Sequence, residues 1–127
     1  MERTIKQVLD AMLERREYSV YEVRFKLGRL GFIDASIDAI IEDYVTKGYL
    51  SDERYAEEKV LSLMRRGYGP FYVKGILSQM NLSLNAKDFD WQEAYRIAIR
   101  KAGNREGVKL RQYLFRRGFR LGEYNGE

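Results

Sequence analysis

This sequence predicts an all-α protein built from repeated helical units, and three observations carry that reading. The 127 residues include a single proline, and 33% are charged, with Glu, Arg, Leu and Lys prominent; such a composition favours helix over sheet. Apolar residues recur with the 3.6-residue period of an amphipathic helix along most of the chain. Finally, three ten-residue segments align without gaps: VRFKLGRLGF (Val23–Phe32), VKGILSQMNL (Val73–Leu82) and LRQYLFRRGF (Leu110–Phe119). In that alignment Val23, Val73 and Leu110 match, as do Leu27, Leu77 and Leu114, and Phe32, Leu82 and Phe119. A basic residue follows the first apolar position each time: Arg24, Lys74 and Arg111. One helix group of this size cannot bury its own apolar face, so neighbours must stack.

Taken in order, Ile5, Val8, Leu9, Met12 and Leu13 place one apolar face on a first helix. Ser19 and Glu22 form a capping box that starts a second, carrying Val20, Val23, Leu27 and Leu30 and ending at Gly31. Asp34 reads as the N-cap of a third, whose stripe is Ile37, Ile40, Ile41, Tyr44 and Val45 and whose end is Gly48. Ser51, followed by Asp52 and Glu53, caps a fourth helix with Tyr55, Ala56, Val60 and Leu63 facing inward, closed by Gly67. Gly69-Pro70 opens a fifth with Val73, Ile76, Leu77 and Met80, because proline at the first helical position forgoes no intrahelical bond. The following SLNAKDFD has no helical stripe. Asp90 and Glu93 start a sixth helix bearing Trp91, Ala94, Tyr95, Ala98, Ile99 and Ala102, broken by Gly103-Asn104. A last helix, Glu106 to Arg117, carries Leu110, Tyr113 and Leu114, and the tail RLGEYNGE reads as frayed.

The chemistry is bounded mainly by what is missing. With no cysteine there are no disulfides and no thiolate metal sites; with no histidine the commonest general base and metal ligand are absent too. There is no Gly-x-x-x-x-Gly-Lys phosphate loop, and the carboxylates fall at helix caps and on exposed faces. Asp52 with Glu53, and Glu57 with Glu58, read as helix-dipole and solvated residues rather than as a metal cluster. The expectation is no enzyme, no cofactor and no metal. No apolar run approaches the ~20 residues of a membrane span, and the start MERTIKQ is no signal peptide, so the chain reads as soluble and cytoplasmic.

Charge is unevenly spread. Residues 1–64 hold 10 Lys+Arg against 13 Asp+Glu, whereas residues 65–127 hold 13 against 6. A basic end opposite an acidic one suits a polyanion or an acidic protein surface, or it is a solvated helix face. Cations at helix C-termini, such as Arg15-Arg16, Arg65-Arg66 and Arg100-Lys101, are explained by the helix dipole alone. Capping does not exhaust the density that includes Arg96, Arg100, Lys109, Arg111, Arg116 and Arg117. The candidate binding residues are Arg66, Lys74, Arg100, Lys109, Arg111, Arg116 and Arg117, with Arg111, Arg116 and Arg117 foremost. Of the ten tyrosines most belong to buried stripes, and Tyr68 and Tyr72 are the ones to test for stacking on single-stranded nucleic acid.

The stretch GYLSDERYAEEKVLSLMRRGYGPFYVKGIL (Gly48–Leu77) resembles the RecX family of recombinase regulators. The residues that carry the resemblance are Gly48, Tyr49, Leu50, Asp52, Arg54, Tyr55, Ala56, Arg66, Gly67, Gly69 and Pro70. Upstream, Arg16, Ser19, Glu22, Val23 and Leu27 fit the same family's first-repeat pattern, and YLFRRGF resembles its third-repeat signature. The resemblance implies tandem three-helix repeats in an elongated, curved array. It implies a monomeric, non-enzymatic modulator in DNA recombination, repair and the SOS response, which binds RecA, above all its filament on DNA, and restrains ATPase and strand exchange. It leaves open direct contact with DNA. The repeats would be residues 1–48, residues 49–90 with the third helix short or missing, and residues 91–127, truncated. A stand-alone DNA-binding protein of helix-turn-helix or winged-helix type is the alternative, and a plain interaction scaffold is a third.

Overall fold

The computed structural model describes residues 2–120; the frayed tail expected beyond them lies outside the described residues. Among those residues there are seven α-helices, one 3-10 turn and no strand. The helices are α1 (Ile5–Arg15), α2 (Val20–Arg29), α3 (Asp34–Thr46), α4 (Asp52–Arg65), α5 (Pro70–Ser78), α6 (Gln92–Ala102) and α7 (Gly107–Arg116). Between α5 and α6, where no helical stripe is legible, the chain makes only the 3-10 turn Ala86–Asp88. The chain divides into two compact units, one up to Glu58 and one from Lys59 onward, the division falling within α4.

The helix starts follow the capping chemistry written in the sequence, with two shifts. Thr4 and Ser19 each accept from the third helical N–H, while Gln7 and Glu22 return the bond to the cap N–H. Ser51 Oγ accepts from Arg54 N–H at 3.2 Å. Asp34, however, is already helical and Ile33 holds the cap position without a side-chain bond, so its carboxylate serves the positive helix end from inside the first turn. Likewise Trp91 is the cap residue of α6, and Asp90 one place earlier accepts from Gln92 N–H at 3.0 Å.

The helix ends show the repeat most clearly. At Gly31, Asn81 and Gly118 the backbone turns left-handed (φ 93°, 59° and 99°). In each case the next residue donates its N–H back five places: Phe32 to Leu27, Leu82 to Leu77 and Phe119 to Leu114, at 3.0–3.2 Å. These Schellman ends use the residues that the gapless alignment equates, so the aligned apolar pairs close the same turn three times. Gly48 and Gly67 end α3 and α4 in the same way.

The first unit closes over Val8, Leu9, Met12, Val23, Leu27, Ile37, Ile41, Tyr44 and Leu50. The second buries Val60, Leu63, Val73, Leu77, Trp91, Ala94, Ala98, Ala102 and Phe119. Its three alanines lie four residues apart on α6, which packs directly against α7. Trp91 fixes the 3-10 turn by donating its indole N–H to the Ala86 carbonyl at 2.9 Å. Three residues expected on buried stripes are exposed. Leu30 lies past the last turn of α2, and Val45 and Ile99 sit one position beyond the buried Tyr44 and Ala98, rotated off the stripe by the 3.6-residue period.

Burial pushes the Tyr55 hydroxyl up to about 12 from its ordinary value of 10.0, and burial likewise raises Tyr44. The folded chain therefore keeps a phenolic proton that the unfolded chain gives up near pH 10. The associated stability is complete below pH 10 and is lost as pH rises through about 12. Circular-dichroism melts of Tyr55→Phe should show a shallower fall in Tm between pH 10 and 12 than the unaltered chain; an identical fall would place the titrating group elsewhere.

Candidate interaction surface

The segment Arg65-Arg66-Gly67-Tyr68-Gly69-Pro70 joins α4 to α5, and the structure gives it an internal role. Gly69 caps α5 and has no side chain with which to satisfy the helix's first donors. The end of α7 supplies the acceptors instead: Gly69 N–H donates to the Arg117 carbonyl at 2.7 Å and Phe71 N–H to the Gly118 carbonyl at 3.0 Å. The approach is so close that a Cβ on Gly69 would stand 2.7 Å from the Gly118 carbonyl oxygen. Gly67, at φ 84°, lies against α6, where a Cβ would come within 3.0 Å of Ile97 and 3.1 Å of the Ala98 nitrogen.

Arg117 belongs to this joint. Its Nε donates to the Gly67 carbonyl at 3.3 Å, its Nη2 donates to the Arg66 carbonyl, and its guanidinium lies 3.9 Å from the Tyr68 ring centre. The Arg66 carbonyl also accepts from Lys101 Nζ at 3.2 Å. Tyr72 stacks on Tyr68 at 4.1 Å and 17°. With Tyr72 and Arg117 both at stacking distance, Tyr68 has its two ring faces covered and presents no open platform to a base.

The first unit solves the corresponding joint with side chains. Asp52 Oδ1 accepts from Val20 N–H at 2.8 Å, so the start of α4 caps the start of α2 across 32 residues. Arg16 holds Glu22 through two bonds of 3.2 and 3.1 Å and lies 3.6 Å from the Tyr18 ring centre. Arg54 ties Glu17 (2.7 Å) to the Gly48 carbonyl (2.8 Å). Gly48, Asp52 and Arg54 thus serve the joint and turn, not a metal ion. Asp52→Ala should cost about 1–2 kcal/mol, as expected for a cap with a charged acceptor, measured as a shift in the urea midpoint.

The basic residues divide accordingly. Arg66 is exposed with its carbonyl engaged, and Arg117 is half-buried. Lys74 on α5, Arg100 on α6, and Lys109, Arg111 and Arg116 on α7 are exposed, and none of them makes an ion pair among the described residues. Arg111 and Arg116 line a shallow hollow with Val108, Gln112 and Phe115. Beside it the Arg120 guanidinium lies 3.8 Å from the Phe71 ring centre and 4.3 Å from that of Phe115. Phe71, Val108 and Phe115 escape a reading that looks for buried stripes; their signal is an apolar residue three places from an exposed base on the outward face. Unpaired cations beside exposed apolar groups can receive carboxylates or phosphates while burying an apolar contact. No helix among the described residues is long and apolar enough to cross a membrane.

A scan against protein-family models finds no match. Among curated proteins, the chain is similar to the regulatory protein RecX of Pseudomonas fluorescens, 31% identical over 124 residues that cover 87% of this chain and 80% of that protein. It is 30% identical to that of Stenotrophomonas maltophilia, over 93% of this chain and 81% of the relative. It is 28% identical to that of Haemophilus influenzae, over 89% and 85%. Similarity at this level, sustained over about four-fifths of the relatives' length and joined to an all-helical fold with three matching helix ends, places the chain in the RecX family of regulatory proteins.

Proposed function

We propose that the chain binds a RecA-type recombinase, above all its filament on DNA, and lowers ATPase and strand-exchange activity by occupancy rather than by chemistry of its own. Kinship with RecX proteins over about nine-tenths of the chain carries this reading. The exposed, unpaired cations of the second unit support it, because a filament of protein on DNA offers carboxylates and phosphates together. The protein acts in the cytoplasm as a monomer without a cofactor. Arg100, Lys109, Arg111 and Arg116, with Lys74 and Arg66, are the residues proposed to meet the filament.

The test is the single-stranded-DNA-dependent ATPase of RecA titrated with this chain. Inhibition is expected, and a variant carrying Arg111→Ala and Arg116→Ala should need about tenfold more protein for the same effect, the loss shrinking as salt is raised. Steeply salt-dependent DNA binding with an untouched RecA ATPase would instead favour the stand-alone DNA-binding reading. The wing of a winged-helix protein has no counterpart among the described residues, which contain no strand.

A further inference from the structure

The repeat alignment that equates the buried positions also equates outward ones. The second residue of α2, α5 and α7 is in each case a large apolar side chain left exposed: Tyr21 (47%), Phe71 (43%) and Val108 (58%). Three residues on, and so on the same helix face, each helix presents an exposed cation: Arg24, Lys74 and Arg111. By contrast the aligned residues Val23, Leu27, Val73 and Leu77 are fully buried. The outward pairs contribute nothing to either core. The stripe continues with Phe25 one turn further on α2 and Phe115 two turns further on α7, and on α7 it forms the hollow described above.

We propose that these three apolar–cation pairs are equivalent contacts for one protein partner built of identical subunits in a row, each offering an apolar hollow beside a carboxylate. The proposal rests on the regulatory reading above and deepens it by naming the surface. Two features favour such an occupant. The same pairing at the same place on three helices matches a partner that repeats, whereas a single-site partner would use one. The cation in every pair sets the complementary charge, and the acid that Arg24 meets, Asp38, is itself solvent-exposed and exchanges readily for a partner's carboxylate. The first unit thereby takes part in binding although its net charge is acidic, which a charge gradient alone does not suggest.

The experiment compares the full chain with three double variants: Tyr21→Ser with Arg24→Ala, Phe71→Ser with Lys74→Ala, and Val108→Ser with Arg111→Ala. Their sixfold combination is included, and all are measured against RecA filaments assembled on single-stranded DNA. Circular-dichroism melts confirm folding; the Tyr21/Arg24 variant, remote from the Arg120 stack, gives a second reading should Phe71→Ser loosen it. Each double variant is expected to weaken binding about tenfold, and the combination a hundredfold or more, since linked contacts multiply. Binding by the combination within twofold of the unaltered chain would overturn the proposal, as would a loss confined to the Val108/Arg111 variant. No binding by the unaltered chain would overturn the regulatory reading itself, and the two failures are therefore distinguishable.

Discussion

Gly118→Ala is expected to destabilise the second unit by about 3–5 kcal/mol, a large fraction of the stability of a small domain. Two costs combine. At φ 99° an L side chain strains the backbone by about 1–3 kcal/mol. The added Cβ also runs into the Tyr72 nitrogen and Cβ, groups fixed in the first turn of α5, and relief would have to break the bonds that cap that helix. Gly31→Ala is the matched control. It has nearly the same backbone conformation, φ 93°, but nothing lies within 4 Å of its Cβ, so only the backbone part of the cost applies. Trp91, the sole tryptophan, lies in the second unit and reports its melting by fluorescence. Far-UV circular dichroism follows both units. A loss at Gly118 no greater than the loss at Gly31 would show that the joint is not tightly packed.

Arg117→Ala is expected to cost about 2–3 kcal/mol, while Arg111→Ala and Arg116→Ala each change stability by less than about 0.5 kcal/mol. Arg117 makes charge-assisted bonds to the Arg66 and Gly67 carbonyls and covers one face of Tyr68; removing it leaves two acceptors and an aromatic ring to water. Arg111 and Arg116 make no described bond to lose. A triple change of all three would therefore lower binding and stability together and assign neither. Urea denaturation of the single variants, set beside their effect on RecA, separates the two. Equal stability of all three would return Arg117 to the candidate surface.

The helix framework was legible because capping boxes, a helix-opening proline and left-handed glycines are local signals, each readable within four or five residues. The shifts at Asp34 and Asp90 are of one position, the scale on which a cap and a first turn trade roles. What was not legible is the closure of one turn by another. Gly69 and Gly118 meet through backbone carbonyls and N–H groups, which every residue carries, so nothing in RRGYGP names its partner 48 residues away. Arg117 is hidden for a related reason: a cation at a helix end already has a local explanation in the dipole, and only the structure shows which carbonyls it serves. The outward pairs at Tyr21, Phe71 and Val108 were present in the alignment, but they become distinct from core positions only once burial is known.

The joint between α7 and α5 also has a consequence for synthesis. Asp52 reaches Val20 within the first unit, so that capping joint can form once the chain through α4 has left the ribosome. The start of α5 cannot be capped until Arg117 and Gly118 have been made. During translation the nascent chain therefore carries one joint already closed and another still waiting for its acceptors. Gly69 and Phe71 hold their N–H groups in water until nearly the last helix arrives, and the completed protein matures from its N-terminal end.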